Sequence, residues 1–346
     1  RIRYDGDRCR GEISCGSSRC HPGGTHLLHL QKDAAPDIYT AVMGQHGSQS
    51  TQTRTAVPPP ATAACGSPEK MKIAFAVGYK GDNFAGSQAQ PNKRTVEGEF
   101  VAAGIGLGLF ADAKEAHFRI SGRTDKGVSA RRQIVSITTN HPEKAIDALN
   151  FWLPDDIWCL GAAEVSPDFY PRYAVTSRTY RYYFPYAADV AAMDAAARQF
   201  VGRHDFTRFS KMEEGRDPNR TVTKANVFVS KDGCPIFEVS AKSFLWNMVR
   251  GMAGFLASVG AGVADPESVN DLLTTSGHRV PPAPAEALIF WDAECDVVFQ
   301  PMRQARETMR MLGRASAAAR AEMHVAEALM DETPEDIWRR RLIRAY

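Results

Sequence analysis

The sequence predicts an α+β fold, and three observations carry that reading. Short stretches with apolar residues at every second position recur in both halves of the chain, as in strands of a sheet. Segments with helical apolar spacing are mixed among them in each half. Lys231-Asp232-Gly233 separates two strand-like runs in the manner of a hairpin. At roughly 100–200 residues per domain, 346 residues suggest two domains with appended segments.

Residues 1–70 differ from the rest. They are rich in Gly, Ser, Thr, Pro and His, contain Pro58-Pro59-Pro60 and hold no period, so loose or disordered chain is expected. Cys9, Cys15, Cys20, His21, His26 and His29 are metal-ligating types, but no Cys-x-x-Cys pair occurs and no metal site is expected. Met71 opens the patterned region and is the expected natural start. Ile73, Phe75, Val77 and Tyr79 alternate with small residues, which predicts a half-buried strand. Thr95 is placed to cap a helix through Val96, Phe100, Ile105 and Leu109. Residues 133–139 form a second alternating strand, and residues 145–152 a helix ended by Pro154.

A second half begins near Pro167. Residues 178–184 predict a strand with aromatics on one face, and residues 191–201 a helix. Residues 225–230 and 236–241 form the hairpin, residues 243–260 a long helix, and residues 287–298 a final strand. Residues 301–346 are helical and charged, with Thr333-Pro334-Glu335-Asp336 as a helix start. Packing or self-association is expected of them rather than chemistry. The expected divisions are therefore 1–70, 71–166, 167–300 and 301–346.

Composition limits the function. Hydrophobic residues at 44% and charged residues at 24% are ordinary for a globular protein. No apolar run approaches the ~20 residues that span a bilayer, and no signal-peptide core is present, so no membrane partner is expected. A net charge of +2 does not announce a nucleic-acid binder, so local basic clusters must carry that argument. Cys159, Cys234 and Cys295 lie in strand-like surroundings and are expected as buried thiols, with a reducing cytoplasm as the compartment.

The richest cluster is residues 119–131. Asp125 stands among Arg119, Arg123, Lys126 and Arg131, and Gly122 and Gly127 bracket it. A carboxylate among cations stays ionised, and could act as nucleophile or base in a site that also attracts phosphate. A charged surface turn would show the same composition, and this segment alone leaves both readings open.

Two further motifs separate them. Ser177-Arg178-Thr179-Tyr180-Arg181-Tyr182-Tyr183-Phe184 and Phe244-Leu245-Trp246-Asn247-Met248-Val249-Arg250 follow Gly122-Arg123-Thr124-Asp125 in order. Weaker echoes are Tyr79-Lys80-Gly81-Asp82-Asn83-Phe84, Gln88-Ala89-Gln90, Thr95-Val96-Glu97-Gly98 and Gly202-Arg203-His204-Asp205-Phe206. Over roughly residues 71–300 the chain resembles the tRNA pseudouridine synthase A family. That resemblance implies the pseudouridine synthase fold: two similar subdomains, each a mostly antiparallel sheet with helices on one face, around a central basic cleft. It implies a cofactor-independent isomerase and a homodimer acting on tRNA uridines 38 to 40 of the anticodon stem-loop. Asp125 matches the catalytic aspartate, Tyr180 the active-site tyrosine and Arg250 the arginine expected to pair with the aspartate. Arg123, Thr124, Lys126, Arg178 and Asn247 are the expected substrate contacts.

By helical spacing, residues 243, 247, 250 and 254 share a small polar face. Arg203, Arg208, Lys211, Arg216, Arg220 and Lys224, interleaved with Phe206 and Phe209, fit either an RNA-contacting surface or a solvated basic loop. His204 and Asp205 read as a structural turn. The chain departs from the family at Gly86-Ser87-Gln88, where many members have Gly-Trp-Gln, at Lys126, and at Ala287-Leu288. Two rival functions are a tRNA-binding protein without turnover and a glycosylase that releases free base.

Overall fold

The computed structural model describes residues 70–186, 188–274, 277–329, 336 and 340. The expectations for residues 1–69, the zinc-type cluster among them, and for the helix start at residues 333–335 lie outside the described residues.

The first strand, β1 (Met71–Tyr79), is buried on both faces from Ile73 onward, not half-buried. Its large residues meet a helix, with Phe75 edge-on to Phe100 at 5.7 Å. Its small residues are covered as well, because the Trp158 indole lies over Gly78. Helix α1 (Val96–Gly106) starts where expected, and the Thr95 hydroxyl accepts the Gly98 N–H at 3.1 Å. A short α2 (Ala113–Ala116) leads to β2 (Arg119–Ile120) and, past the Asp125 loop, to β3 (Ser129–Thr139), which begins four residues before the alternation suggested. Helix α3 (Pro142–Trp152) has proline in its first turn, where no N–H is needed. Strand β4 (Ile157–Val165), foreshadowed only by the strand-like surroundings of Cys159, follows.

A single turn, α4 (Pro171–Ala174), precedes β5 (Ser177–Tyr183). Helix α5 (Val190–Arg198) is capped by Asp189 on the Ala192 N–H. Strand β6 (Gly202–Asp205) pairs with β7 (Asn219–Val229), which turns at residues 231–233 into β8 (Pro235–Ala241). Helix α6 (Met248–Gly260) is shorter than the expected 243–260 and has no polar stripe: of its residues only Arg250 and Gly260 escape full burial. The short α7 (Val269–Leu272), β9 (Leu288–Glu294), β10 (Gln300–Pro301) and the long, mostly exposed α8 (Arg306–Ala328) complete the described chain.

The ten strands form one continuous sheet in the order β10-β4-β1-β3-β9-β5-β8-β7-β6, with β2 on β3. Every recorded pairing is antiparallel except β3 with β9, a two-residue parallel seam where Ser129 and Ala130 face Ile289 and Phe290. The Asp125 loop enters β3 at this seam, and β5 lies one strand beyond it. The chain ordering thus brings residues 120–130, 178–182 and 288–292 together. No helix of the described residues is long and apolar enough to cross a membrane.

Candidate active site

The Asp125 loop is held by buried hydrogen bonds on both sides. Ser121 accepts the Ile134 N–H and donates its hydroxyl to Gln133, whose amide in turn donates to the Gly122 carbonyl at 2.9 Å. Thr124 donates its N–H to the Ser87 hydroxyl at 2.9 Å, and its carbonyl accepts the Ser87 N–H at 3.1 Å. The Thr124 hydroxyl shares a 2.8 Å hydrogen bond with the Tyr79 hydroxyl. The bracketing glycines have distinct reasons. Gly127 sits at φ 86°, which L side chains rarely adopt, and a Cβ on Gly122 would lie 3.2 Å from the Phe290 ring.

Asp125 is left pointing outward, one third exposed, and receives the Arg250 Nη1 at 3.3 Å. None of the four cations near it in sequence forms that pair. Arg123 and Lys126 are exposed, Arg119 lies near Tyr170, and Arg131 stacks on Trp291 at 4.5 Å. The partner comes instead from the first turn of α6. Asn247 adopts the left-handed conformation at φ 63° and starts that helix, and its Oδ1 accepts Arg250 Nη1 at 3.2 Å. Arg250 Nε donates to the Ala283 carbonyl at 2.7 Å. The guanidinium is thereby aimed by three fixed acceptors.

Tyr180 is 8% exposed and sits edge-on to Phe244 at 5.2 Å and Phe290 at 4.9 Å. Its hydroxyl has no hydrogen-bond partner among the described residues. Burial pushes the phenol well above its usual range, and the negative charges it would feel from Tyr79 and Asp125 add to that. Tyr79 is pushed up to about 12 by burial, against the opposing hydrogen bonds from Thr124 and Gln133. Both phenols therefore stay protonated at neutral pH and can donate.

Arg178 is placed otherwise than its expected substrate contact would require. It is buried, and its donors are spent on main-chain carbonyls: Ser121 at 3.1 and 2.7 Å, Arg172 at 2.7 Å, Val175 at 3.2 Å, and Lys242. It clamps the strand that feeds the Asp125 loop. Burial draws its pKa down, only partly opposed by nearby Tyr180. Phe206 and Phe209 are core residues rather than an RNA surface, and Lys224 is paired with Glu238. Arg208 donates to the carbonyls of Asp271 and His278. His204 and Asp205 bond neighbouring main chain, as a structural turn does. Of the three cysteines among the described residues, Cys159 is buried and Cys234 and Cys295 are partly exposed.

Sequence reasoning missed Ser87, Tyr79 and Gln133 as supports of the loop. Ser87 did carry a signal, since it stands in the tripeptide that departs from Gly-Trp-Gln, and it is fully buried with both main-chain groups and its hydroxyl engaged.

A carboxylate paired with a guanidinium, with a buried phenol on the neighbouring strand β5, suits cleavage and re-formation of a glycosidic bond, and the α+β fold is that of the pseudouridine synthases. Residues 196–296 match the tRNA pseudouridine synthase family model. The tRNA pseudouridine synthase A of Methanocorpusculum labreanum is 65% identical over 276 residues, covering 80% of this chain and 98% of the relative. Those of Methanoculleus marisnigri and Methanosphaerula palustris are 48% and 44% identical, covering 70% and 75% of this chain and 90% and 91% of the relatives. The chain belongs to the tRNA pseudouridine synthase A family, a family of isomerases.

Proposed function

We propose that this protein isomerises uridine to pseudouridine in the anticodon stem-loop of tRNA, at positions 38 to 40, as a cytoplasmic homodimer. The observation that carries the reading is the Asp125–Arg250 pair at 3.3 Å, formed by residues far apart in sequence.

Asp125 acts at ribose C1′, where the bond to uracil N1 breaks. The base then turns so that C5 joins C1′; C5 gives up its hydrogen as a proton and N1 takes up a proton, so composition is unchanged. Arg250 orients the carboxylate through its contact at 3.3 Å. Tyr180 forms an edge of the pocket that holds the detached base. Arg123 and Lys126, exposed beside Asp125, contact substrate phosphate or replace the extruded base in the stack. Extruding the uridine costs a few kcal/mol, which such contacts offset. Thr124 and Asn247 hold the two acting groups from behind, and Arg178 positions the loop. The catalytic region divides into subdomains at residues 71–166 and 167–300, with the cleft at their junction.

The test is tritium release from tRNA labelled at uridine C5, with the intact protein and with Asp125→Asn. Release by the intact protein alone is expected. Binding of tRNA with no release would leave a binding protein, and abasic sites in the product would leave a glycosylase.

A further inference from the structure

Two tyrosines stand in solvent beside the chain segment that feeds the Asp125 loop. Tyr173 is 76% exposed and Tyr170 is 38% exposed, which is unusual for rings that a core could bury. Their centroids are 5.1 Å apart with the planes tilted by 36°, so they form a paired surface. The Arg119 guanidinium lies over the Tyr170 ring at 5.7 Å, and Arg172 between the two tyrosines is exposed. Neither arginine forms an ion pair with a described carboxylate.

This cluster is tied to the catalytic loop. Arg119 belongs to β2, which runs directly into Ser121. Arg178 Nη2 donates to the carbonyls of both Ser121 and Arg172, each at 2.7 Å, so α4 and the loop share one clamp. Residues 178 and 180 lie on the same face of β5, so the clamp reaches out on the face that presents Tyr180. Aromatic rings in water beside uncompensated guanidinium groups do little for the fold. They are what an unpaired nucleotide requires: a ring for its base and cations for its phosphates.

We propose that Tyr170 and Tyr173 form a stacking platform for an unpaired base of the RNA substrate outside the reacting uridine, with Arg119 and Arg172 on the neighbouring phosphates. The platform rests on the proposed uridine isomerisation in RNA. Paired bases present no free face, so the occupant is a loop or junction nucleotide rather than a stem.

The test measures binding of unmodified tRNA transcript by full-length protein carrying Asp125→Asn, with and without Tyr173→Ala. Tyr173→Ala is expected to raise Kd roughly tenfold, the range of one lost base stack. Tyr173→Phe keeps the ring and is expected to bind as the parent does. Arg119→Ala is expected to flatten the salt dependence of binding by about one phosphate contact. A fully paired RNA of similar length is expected to bind the parent and Tyr173→Ala equally. Equal tRNA binding by parent and Tyr173→Ala, or an equal loss on paired RNA, would overturn the platform and leave the isomerase reading standing. Absence of tritium release from any tRNA by the protein with Asp125 intact would remove that reading, and the platform with it.

Discussion

Replacing Arg178 by methionine tests whether this residue holds the catalytic loop or touches RNA. Methionine fills a comparable volume but offers no donor. In the native protein the guanidinium makes five hydrogen bonds to four main-chain carbonyls, two of them to Ser121. Each buried polar group left without a partner costs about 1–3 kcal/mol. Removing a buried charge gives part of that back, since the charge itself is expensive to desolvate. The net loss should be about 3–5 kcal/mol, read as a fall in the urea midpoint of the full-length chain. The Ser121 carbonyl, freed, lets the loop ahead of Asp125 shift, and a displacement of about 1 Å at a catalytic group costs on the order of 100-fold in rate. Tritium release should therefore fall about that far while tRNA affinity stays within about threefold. Arg178→Lys should lie between, because an ammonium is a point charge that cannot serve carbonyls spread around a planar fork. The reasoning fails if Arg178→Met keeps its stability within about 1 kcal/mol and loses tRNA affinity instead. Arg178 would then reach the substrate.

Two further outcomes follow from the same geometry. Arg250→Ala should lower kcat/KM by about 100- to 1000-fold, the scale of losing one fixed charge-stabilising donor, with tRNA binding largely kept; steady-state tritium release over a range of tRNA concentrations checks this. Glu238, buried on β8, is also informative: burial opposes its charge, but hydrogen bonds from Lys224 at 2.8 Å and Arg181 at 2.7 Å outweigh that and hold its pKa below the usual range. A carboxylate with a lowered folded-state pKa stabilises above its unfolded value of about 4.3, and that stabilisation is lost as pH falls through the folded value. Glu238→Gln should therefore lower stability at pH 7, with the gap to the parent closing below about pH 4, as urea titrations at several pH values would show.

Much of the sheet was legible because its strands carry their own pattern. Strand β5 shows it most clearly, with Arg178, Tyr180 and Tyr182 buried and Thr179, Arg181 and Tyr183 less so. The hairpin between β7 and β8 was legible from its turn residues, although β7 extends six residues further back, because its pairing with β6 is not marked in its own sequence. The start of α6 was misplaced for a physical reason. Residues 243–247 are compatible with a helix, but Trp246 gives its carbonyl to the Lys211 N–H at 2.8 Å and Asn247 turns left-handed, so the helix begins only at Met248. Phe206 and Phe209 read as surface aromatics among cations. The ring of Phe200 meets both, and that of Phe255 meets Phe209, inside the core.

By itself the sequence determined the α+β class, the order of most elements and the residue types at the site: an acid, an arginine and a tyrosine in three separate motifs. These follow from local periodicity and from chemistry that each residue carries wherever it stands. The partners come from the tertiary structure, although the family resemblance already named Arg250 for Asp125. Four cations lie within six residues of Asp125 in the chain, yet Arg250 forms the ion pair, because the seam of β3 on β9 carries the loop to the first turn of α6. Arg178 has the composition of a substrate contact and the surroundings of a clamp, because its donors meet carbonyls from three segments inside the protein. A side chain's partners depend on which backbone groups folding leaves unsatisfied within its reach, and local sequence holds no record of those.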